Sequence, residues 1–241
     1  MKISKVKDIM DKKQAGITGL IFGFSGTGKT WLAAMSPKPL IILTERNGIT
    51  SIGHANPDAS IAEVSSADEL FEIVLQAKNG YVEYNKQKIY FDTLVVDSLT
   101  ECQRLIRDRI LQRNKREEMI LKDWNTLANH MERFVRALRD LPVHVICTAL
   151  CEKYHEDSSG KIHVQPMFDG KKTGQQISQY FNFVGYYFRK EAQKDGLYVR
   201  SLMFDGPSNY ACKSAHPIVG IIENPSLKNI LNKLQTYTPN K

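Results

Sequence analysis

Residues 17–30 read Ile17-Thr-Gly-Leu-Ile-Phe-Gly-Phe-Ser-Gly-Thr-Gly-Lys-Thr30, an apolar run that passes directly into GFSGTGKT. Gly23, Gly28, Lys29 and Thr30 stand at the spacing G-x-x-x-x-G-K-[ST] of a phosphate-binding loop. Glycines let the backbone wrap around phosphates with its N–H groups turned inward, and a following helix adds its positive N-terminal end. The loop needs a strand before it and a helix after it. ITGLIFG (17–23) and the stretch 28–35 meet both needs. Gly23, Ser25, Gly26, Thr27, Gly28, Lys29 and Thr30 are therefore the candidate phosphate cradle. Within it Lys29 is expected on the β- and γ-phosphates of ATP and the Thr30 hydroxyl on Mg²⁺.

Outward from this loop, short apolar runs alternate with amphipathic stretches, without repeats or low-complexity tracts, which predicts βαβ units. Strands are expected at 17–23, 39–45, 88–97, 143–149, 181–190 and 197–204, and helices at 28–35, 67–78, 99–114, 123–141, 173–180 and 224–235. The first four strands are continuous apolar runs, the pattern of strands buried on both faces of a parallel sheet. Trp124, Leu127, Met131, Phe134, Val135 and Leu138 form a core-facing helical stripe, with Asp123 placed to cap it. Asp195-Gly196 predicts a type I′ hairpin between the last two strands. The expectation is an α/β fold with a mainly parallel central sheet flanked by helices and an antiparallel C-terminal extension. We expect one domain over residues 1–241, with a core of about 15–215 and with 1–14 and 224–235 peripheral.

A magnesium site needs a carboxylate near Thr30, and FDTLVVD (91–97) supplies Asp97 at the end of a β-branched strand. Glu45 closes PLIILTE, a strand read as a neighbour of the first, where its carboxylate can orient an attacking water. Cys102, Cys147, Cys151 and Cys212 sit in apolar text as reduced thiols. A zinc site of Cys147, Cys151, His155 and His163 is disfavoured, because the spacing fits none of the usual patterns. Lys and Arg number 33 against 26 Asp and Glu, a net +7 that favours polyanionic partners. No run approaches the roughly 18 apolar residues of a membrane helix, and the start has no signal-peptide core. A soluble cytoplasmic protein with no membrane partner is expected.

Taken together, GFSGTGKT, the strand ending at Glu45, and LVVDSLTE (94–101) with Ser98 after the Asp resemble the RecA/RadA superfamily of recombinases. The closer resemblance is to short phage-encoded RecA-like ATPases of the Sak type, single-strand annealing or recombination proteins reduced to an ATPase core. SPKPLIILTE, YFDTLVVDSLTE, the Asp123-Trp124 helix and HVICTAL carry it over most of residues 15–215. The resemblance implies a RecA-like P-loop NTPase and a DNA-stimulated ATPase assembled as a homo-oligomeric ring or filament. It further implies action on single-stranded DNA in the host-cell cytoplasm, with a single-strand DNA-binding protein as a further partner. It implies for Glu45 the role of acting on the attacking water. It assigns DNA binding to 113–122 and 152–173, hence to Arg113, Lys115, Arg116 and Lys122, and to Lys153, Lys161, Lys171 and Lys172, with Tyr154, His163 and Phe168 as stacking platforms. Lys213 is the implied catalytic cation reaching into a neighbouring subunit, with Arg200 second. One departure stands out: Leu150 occupies the position where relatives carry a γ-phosphate-sensing Gln or His, unless Thr148 or Glu152 substitutes.

Two rival classes fit the loop. A small nucleoside or nucleotide kinase would share it, but no Arg-rich lid is present, and the Asp108-Arg109 pair lies mid-helix. A nucleotide-gated adaptor without significant hydrolysis is the second rival, which Leu150 keeps open. A GTP switch is disfavoured because no [NT]-K-x-D motif follows the later strands.

Overall fold

The computed structural model describes residues 16–156, 160–170, 173–191, 198–214, 218 and 220–236. The opening apolar run forms β1 (Thr18–Gly23), buried at every position, and the glycine-rich loop leads from it into α1 (Lys29–Ala34). β2 (Pro39–Leu43) is also wholly buried and precedes α2 (Gly48–Ala55), β3 (Ser60–Glu63) and α3 (Ala67–Ala77). α3 begins on a capping box, in which the Glu69 N–H donates to the Ser66 hydroxyl and the Ser66 N–H donates to the Glu69 carboxylate. A small hairpin of β4 (Tyr81–Tyr84) and β5 (Gln87–Tyr90) turns at Asn85 and Lys86, both at positive φ (50° and 63°). β6 (Thr93–Asp97), α4 (Leu99–Asn114), α5 (Leu121–Arg139), β7 (His144–His155) and β8 (Ile162–Pro166) follow. The chain then forms α6 (Thr173–Ser178), β9 (Phe183–Glu191), β10 (Tyr198–Met203), β11 (Lys213–Ser214), β12 (Ile221–Glu223) and α7 (Leu227–Thr236).

β9, β1, β7, β6, β2 and β3 lie side by side and parallel. β10 and β12 extend the β9 edge antiparallel, β11 also pairs with β9, and β8 folds back on β7. The result is an α/β fold with a mostly parallel sheet and an antiparallel C-terminal end, consistent with a P-loop NTPase fold. Alternate residues of each central strand feed opposite faces. Leu20, Phe22, Leu94 and Val96 pack with Leu70, Ile106, Met131 and Phe134 from α3, α4 and α5. Ile21, Ile41, Val95 and Ile146 pack with Leu32, Ile52, Leu227 and Ile230 from α1, α2 and α7. Both faces are covered, which is why these strands read as continuous apolar text rather than alternation.

Several expectations need correction. β2 is not a neighbour of β1, because β7 and β6 lie between them. A parallel strand's partner is chosen by its helical crossover, which its own apolar run does not encode. The stretch 88–97 breaks into β5 and β6. The expected loop 113–122 shrinks to 115–120, since α4 runs to Asn114 and closes on Lys115 in the left-handed region (φ 51°). The expected loop 152–173 is largely hairpin, with β7 continuing to His155 and pairing with β8 from Cys151↔Pro166 to His155↔Ile162. Its polar residues read as loop because the hairpin projects beyond the buried sheet. Asp123 is not the N-cap of α5 but stands three residues after the N-cap Ile120, whose N–H donates to its carboxylate at 3.2 Å. Of the α5 stripe, Trp124 remains 38% exposed while Leu127, Met131, Phe134, Val135 and Leu138 are buried.

The antiparallel pairing of β9 and β10 agrees with the sequence reading, though the Asp195-Gly196 turn lies outside the described residues. The observed register sets Arg200 opposite Arg189. Among the described residues no helix is long and apolar enough to cross a membrane.

Candidate nucleotide-binding site

β1 ends against β9 so closely that a Cβ on Gly23 would stand 2.3 Å from the Tyr187 carbonyl oxygen. Gly26 and Gly28 then adopt φ of 74° and 100°, the left-handed region that glycine enters without steric cost. This curl delivers Lys29 to the start of α1, where it is 8% exposed and its Nζ donates to the Gly23 and Phe24 carbonyls at 2.9 Å each. Among the described residues no carboxylate pairs with Lys29. Burial draws its ammonium below the ordinary lysine range, against the opposing pull of Asp97, Cys151 and Glu45. A buried ammonium without its own counter-ion, below left-handed glycines at a helix start, suits a polyphosphate.

Asp97 closes β6 and is gripped at both oxygens. Thr30 Oγ1 donates to Oδ2 at 2.8 Å, and the fully buried Thr148 of β7 donates to Oδ1. This geometry follows from the strand order, since β7 lies between β1 and β6 and brings Thr148 against Asp97. The end of β2 is stitched to the end of β6: the Thr44 N–H and hydroxyl both donate to the Asp97 main-chain oxygen, at 3.1 and 3.0 Å, and the Ser98 N–H donates to Thr44 Oγ1 at 3.1 Å. Those bonds hold the next residue, Glu45, at the cleft although β2 is remote from β1. Burial, then the like charges of Glu101 and Asp97, push the Glu45 carboxyl above the usual carboxylate range, with Arg104 and Lys29 offsetting part of the effect.

Gly28, Lys29, Thr30, Glu45, Asp97 and Arg200 face a common cleft of about 330 Å³, within the range of small-ligand sites. Among the described residues no three His, Cys, Asp or Glu side chains form a metal cage. The hydroxyl–carboxylate pair of Thr30 and Asp97 instead suits Mg²⁺, which takes few protein ligands and completes its shell with phosphate oxygens and water. The donor set thus fits a Mg²⁺–nucleoside triphosphate.

Leu150 lies on β7 level with Gly23 and also lines the cleft. Its N–H donates to Thr100 Oγ1 at 3.0 Å, Thr100 donates to the Met167 carbonyl at 3.2 Å, and the Met167 N–H returns to the Leu150 carbonyl at 2.8 Å. The Thr100 hydroxyl at the start of α4 is thereby tied to the main chain at the base of the β7–β8 hairpin, where relatives are expected to use a polar side chain of the strand itself. Of the two substitutes, Thr148 is committed to Asp97, and Glu152 accepts from Gln165 across the hairpin at 2.6 Å.

The remaining sequence candidates are dispersed. Arg113 lies in the last turn of α4, Lys115 is its C-cap, and Lys122 lies exposed in the first turn of α5. Arg116 is bound to buried Asp123 at 2.8 Å. Lys153 Nζ lies 5.1 Å from the ring centroid of Phe24, inside the phosphate loop. Tyr154 stacks on His163 with centroids 4.9 Å apart, and Lys161 precedes β8. Phe168 is 5% exposed, so it offers no free face to a base. Lys171 and Lys172 lie outside the described residues. Lys213, on β11, stands opposite Val184, a residue level with Leu20 rather than with the loop end of β1, and its Nζ donates to the Gln179 carbonyl at 3.1 Å. Sequence reasoning missed Arg189 beside Gly26, and it named Arg200 only as second choice for a cation serving a neighbouring subunit, whereas Arg200 lies beside the phosphate loop of its own chain; both positions depend on strand register.

No curated protein matches the chain. A family model does, AAA_24, described as an AAA domain, over residues 15–216. That match runs from before the phosphate loop through the site carboxylates to the strands beyond Arg200, and the chain belongs to this family of P-loop AAA domains.

Proposed function

We propose that the chain is a Mg²⁺-dependent ATP hydrolase of the RecA-like kind, acting on single-stranded DNA. The observation that carries the hydrolytic part is Glu45, held by the Thr44–Asp97 stitch across the cleft from Lys29 and the Thr30–Asp97 pair. Lys29 binds the β- and γ-phosphates, and Thr30 and Asp97 hold the cation. Mg²⁺, when bound, neutralises phosphate charge that builds up during transfer. Glu45 orients a water for attack and accepts its proton, a task suited to a carboxylate whose affinity for protons is raised. Thr148 keeps the Asp97 carboxylate fixed between two donors.

The DNA part has separate support. The β7–β8 hairpin carries Lys153 and the Tyr154–His163 stack beside the phosphate loop, and the chain is net basic at +7. Assembly into a homo-oligomer, with Lys213 serving a neighbouring site, belongs to the same reading, as does a single-strand DNA-binding protein as partner.

The test is steady-state ATP hydrolysis by the full chain with and without single-stranded DNA, with Lys29→Ala as control. We expect turnover that needs Mg²⁺, rises with DNA and vanishes in Lys29→Ala. Undiminished turnover in that variant would sink the site. Tight ATP binding without turnover would favour a nucleotide-gated adaptor, and phosphate appearing on a nucleoside would favour a kinase.

A further inference from the structure

The phosphate loop is bordered by two arginines from strands far away in the sequence. Arg200 Nε donates to the Thr27 carbonyl at 3.2 Å, and a Cβ added at Gly28 would stand 3.0 Å from that nitrogen. Gly28 therefore serves twice: it curls the loop, and its missing side chain leaves room for the guanidinium. Arg189 borders the other left-handed glycine, its Nη2 lying 3.7 Å from where a Gly26 Cβ would be.

Neither Arg200 nor Arg189 has a counter-ion among the described residues, although Lys190 beside them pairs with Glu223. The register also sets Arg200 opposite Arg189 across the β9–β10 pair. Like charges directly opposite are unfavourable, and an anion held beside both would relieve that cost. Arg200 uses only Nε on Thr27, so among the described residues its terminal nitrogens have no hydrogen-bond partner. Anchored there, the planar fork borders the cleft that also receives Lys29 and Glu45. A guanidinium fork matches phosphate oxygens in pairs, which a lysine ammonium cannot do.

We propose that Arg200, supported by Arg189, contacts the phosphates of the bound nucleoside triphosphate in cis, from the same chain that carries the phosphate loop. The proposal rests on the nucleotide-site reading above. It gives each chain its own arginine at the cleft, so this contact needs no neighbouring subunit. The competing role for Arg200 is a strut that braces the Thr27 carbonyl.

The experiment measures affinities for ATP, ADP and AMP, and ATP turnover, for the full chain and its Lys29→Ala, Arg200→Ala and Arg200→Lys variants. In Arg200→Ala we expect ATP affinity or turnover to fall by about tenfold to a hundredfold. AMP affinity should move by less than about twofold, since AMP lacks the outer phosphates. Arg200→Lys should recover part of the loss, as should guanidinium added to Arg200→Ala. If Arg200→Ala does not fold, the ATP-to-AMP affinity ratio of Arg200→Lys decides. A strut would weaken all three nucleotides alike, and that outcome overturns the proposal. Mixing Lys29→Ala chains with Arg200→Ala chains should restore no turnover. Restored turnover would mean that Arg200 serves a neighbour, which also overturns it. Nucleotide binding that survives Lys29→Ala would instead remove the underlying site reading, a result distinct from either.

Discussion

The hydroxyl of Thr30 donates a 2.8 Å hydrogen bond to Oδ2 of Asp97, joining the start of the phosphate-loop helix to the end of β6. Residues 67 positions apart thus form one hydroxyl–carboxylate pair of the kind Mg²⁺ prefers. Asp97→Asn preserves shape but removes the charge. Turnover should fall by about a hundredfold or more, and the Mg²⁺ concentration for half-maximal rate should rise in a metal titration.

Glu45→Gln should bind ATP with affinity close to that of the parent chain and hydrolyse it about a hundredfold more slowly. Because burial and the charges of Glu101 and Asp97 raise the Glu45 carboxyl, and because the ionised form is the base, turnover should climb as pH rises through a value above the usual carboxylate range. Glu101→Gln removes one like charge and frees Arg104, which Glu101 binds at 2.6 Å. Both changes favour ionised Glu45, so the rising limb of the pH–rate profile should move to lower pH. An unmoved limb would assign it to another group.

Trp31 lines the cleft and is 42% exposed, while Trp124 lies on α5 and faces no part of that site. Nucleotide binding should therefore change tryptophan emission in the parent chain and in Trp124→Phe. The change should be absent in Trp31→Phe, which a fluorescence titration would read directly.

Asp123 accepts from Asn114 Nδ2 at 2.9 Å, from Arg116 at 2.8 Å and from the Ile120 N–H at 3.2 Å, fastening the α4–α5 corner. Burial opposes its charge, but those donors outweigh it and hold the carboxyl below the usual range. A depressed carboxyl stabilises the fold above its unfolded value and loses that contribution as pH falls through the folded value. Asp123→Asn should lower the melting temperature at neutral pH, and the gap from the parent chain should close as the solution becomes acidic.

Lys153 meets the Phe24 ring of the phosphate loop and lies on the proposed DNA hairpin. Lys153→Ala should weaken single-stranded DNA binding with little sequence preference, and should reduce the slope of log affinity against log salt by about one. An unchanged slope would remove Lys153 from the DNA surface.

The buried parallel strands were legible because a strand covered on both faces must be apolar throughout, and Thr18–Gly23, Pro39–Leu43 and Thr93–Asp97 are buried at every position. The phosphate loop was legible because only glycine reaches φ of 74° and 100° cheaply, so the backbone shape is written in residue type. The β7–β8 hairpin was missed because its solvated strands carry polar residues that read as loop. Arg116 reads as a free cation in the text, and only the folded α4–α5 corner pairs it with Asp123.

By itself, then, the sequence determined the local chemistry: a phosphate cradle at Gly23–Thr30 and an acid, Asp97, at a strand end. Tertiary structure decided which distant groups converge on that cradle. Thr148 reaches Asp97 because β7 lies between β1 and β6, and Glu45 reaches the cleft through hydrogen bonds to β6 rather than through a place beside β1. Arg200 reaches the loop through a register that sets it opposite Arg189. Strand order and register arise from packing across the whole sheet, and a shift of one residue turns a side chain to the other face, so no short stretch of sequence contains them.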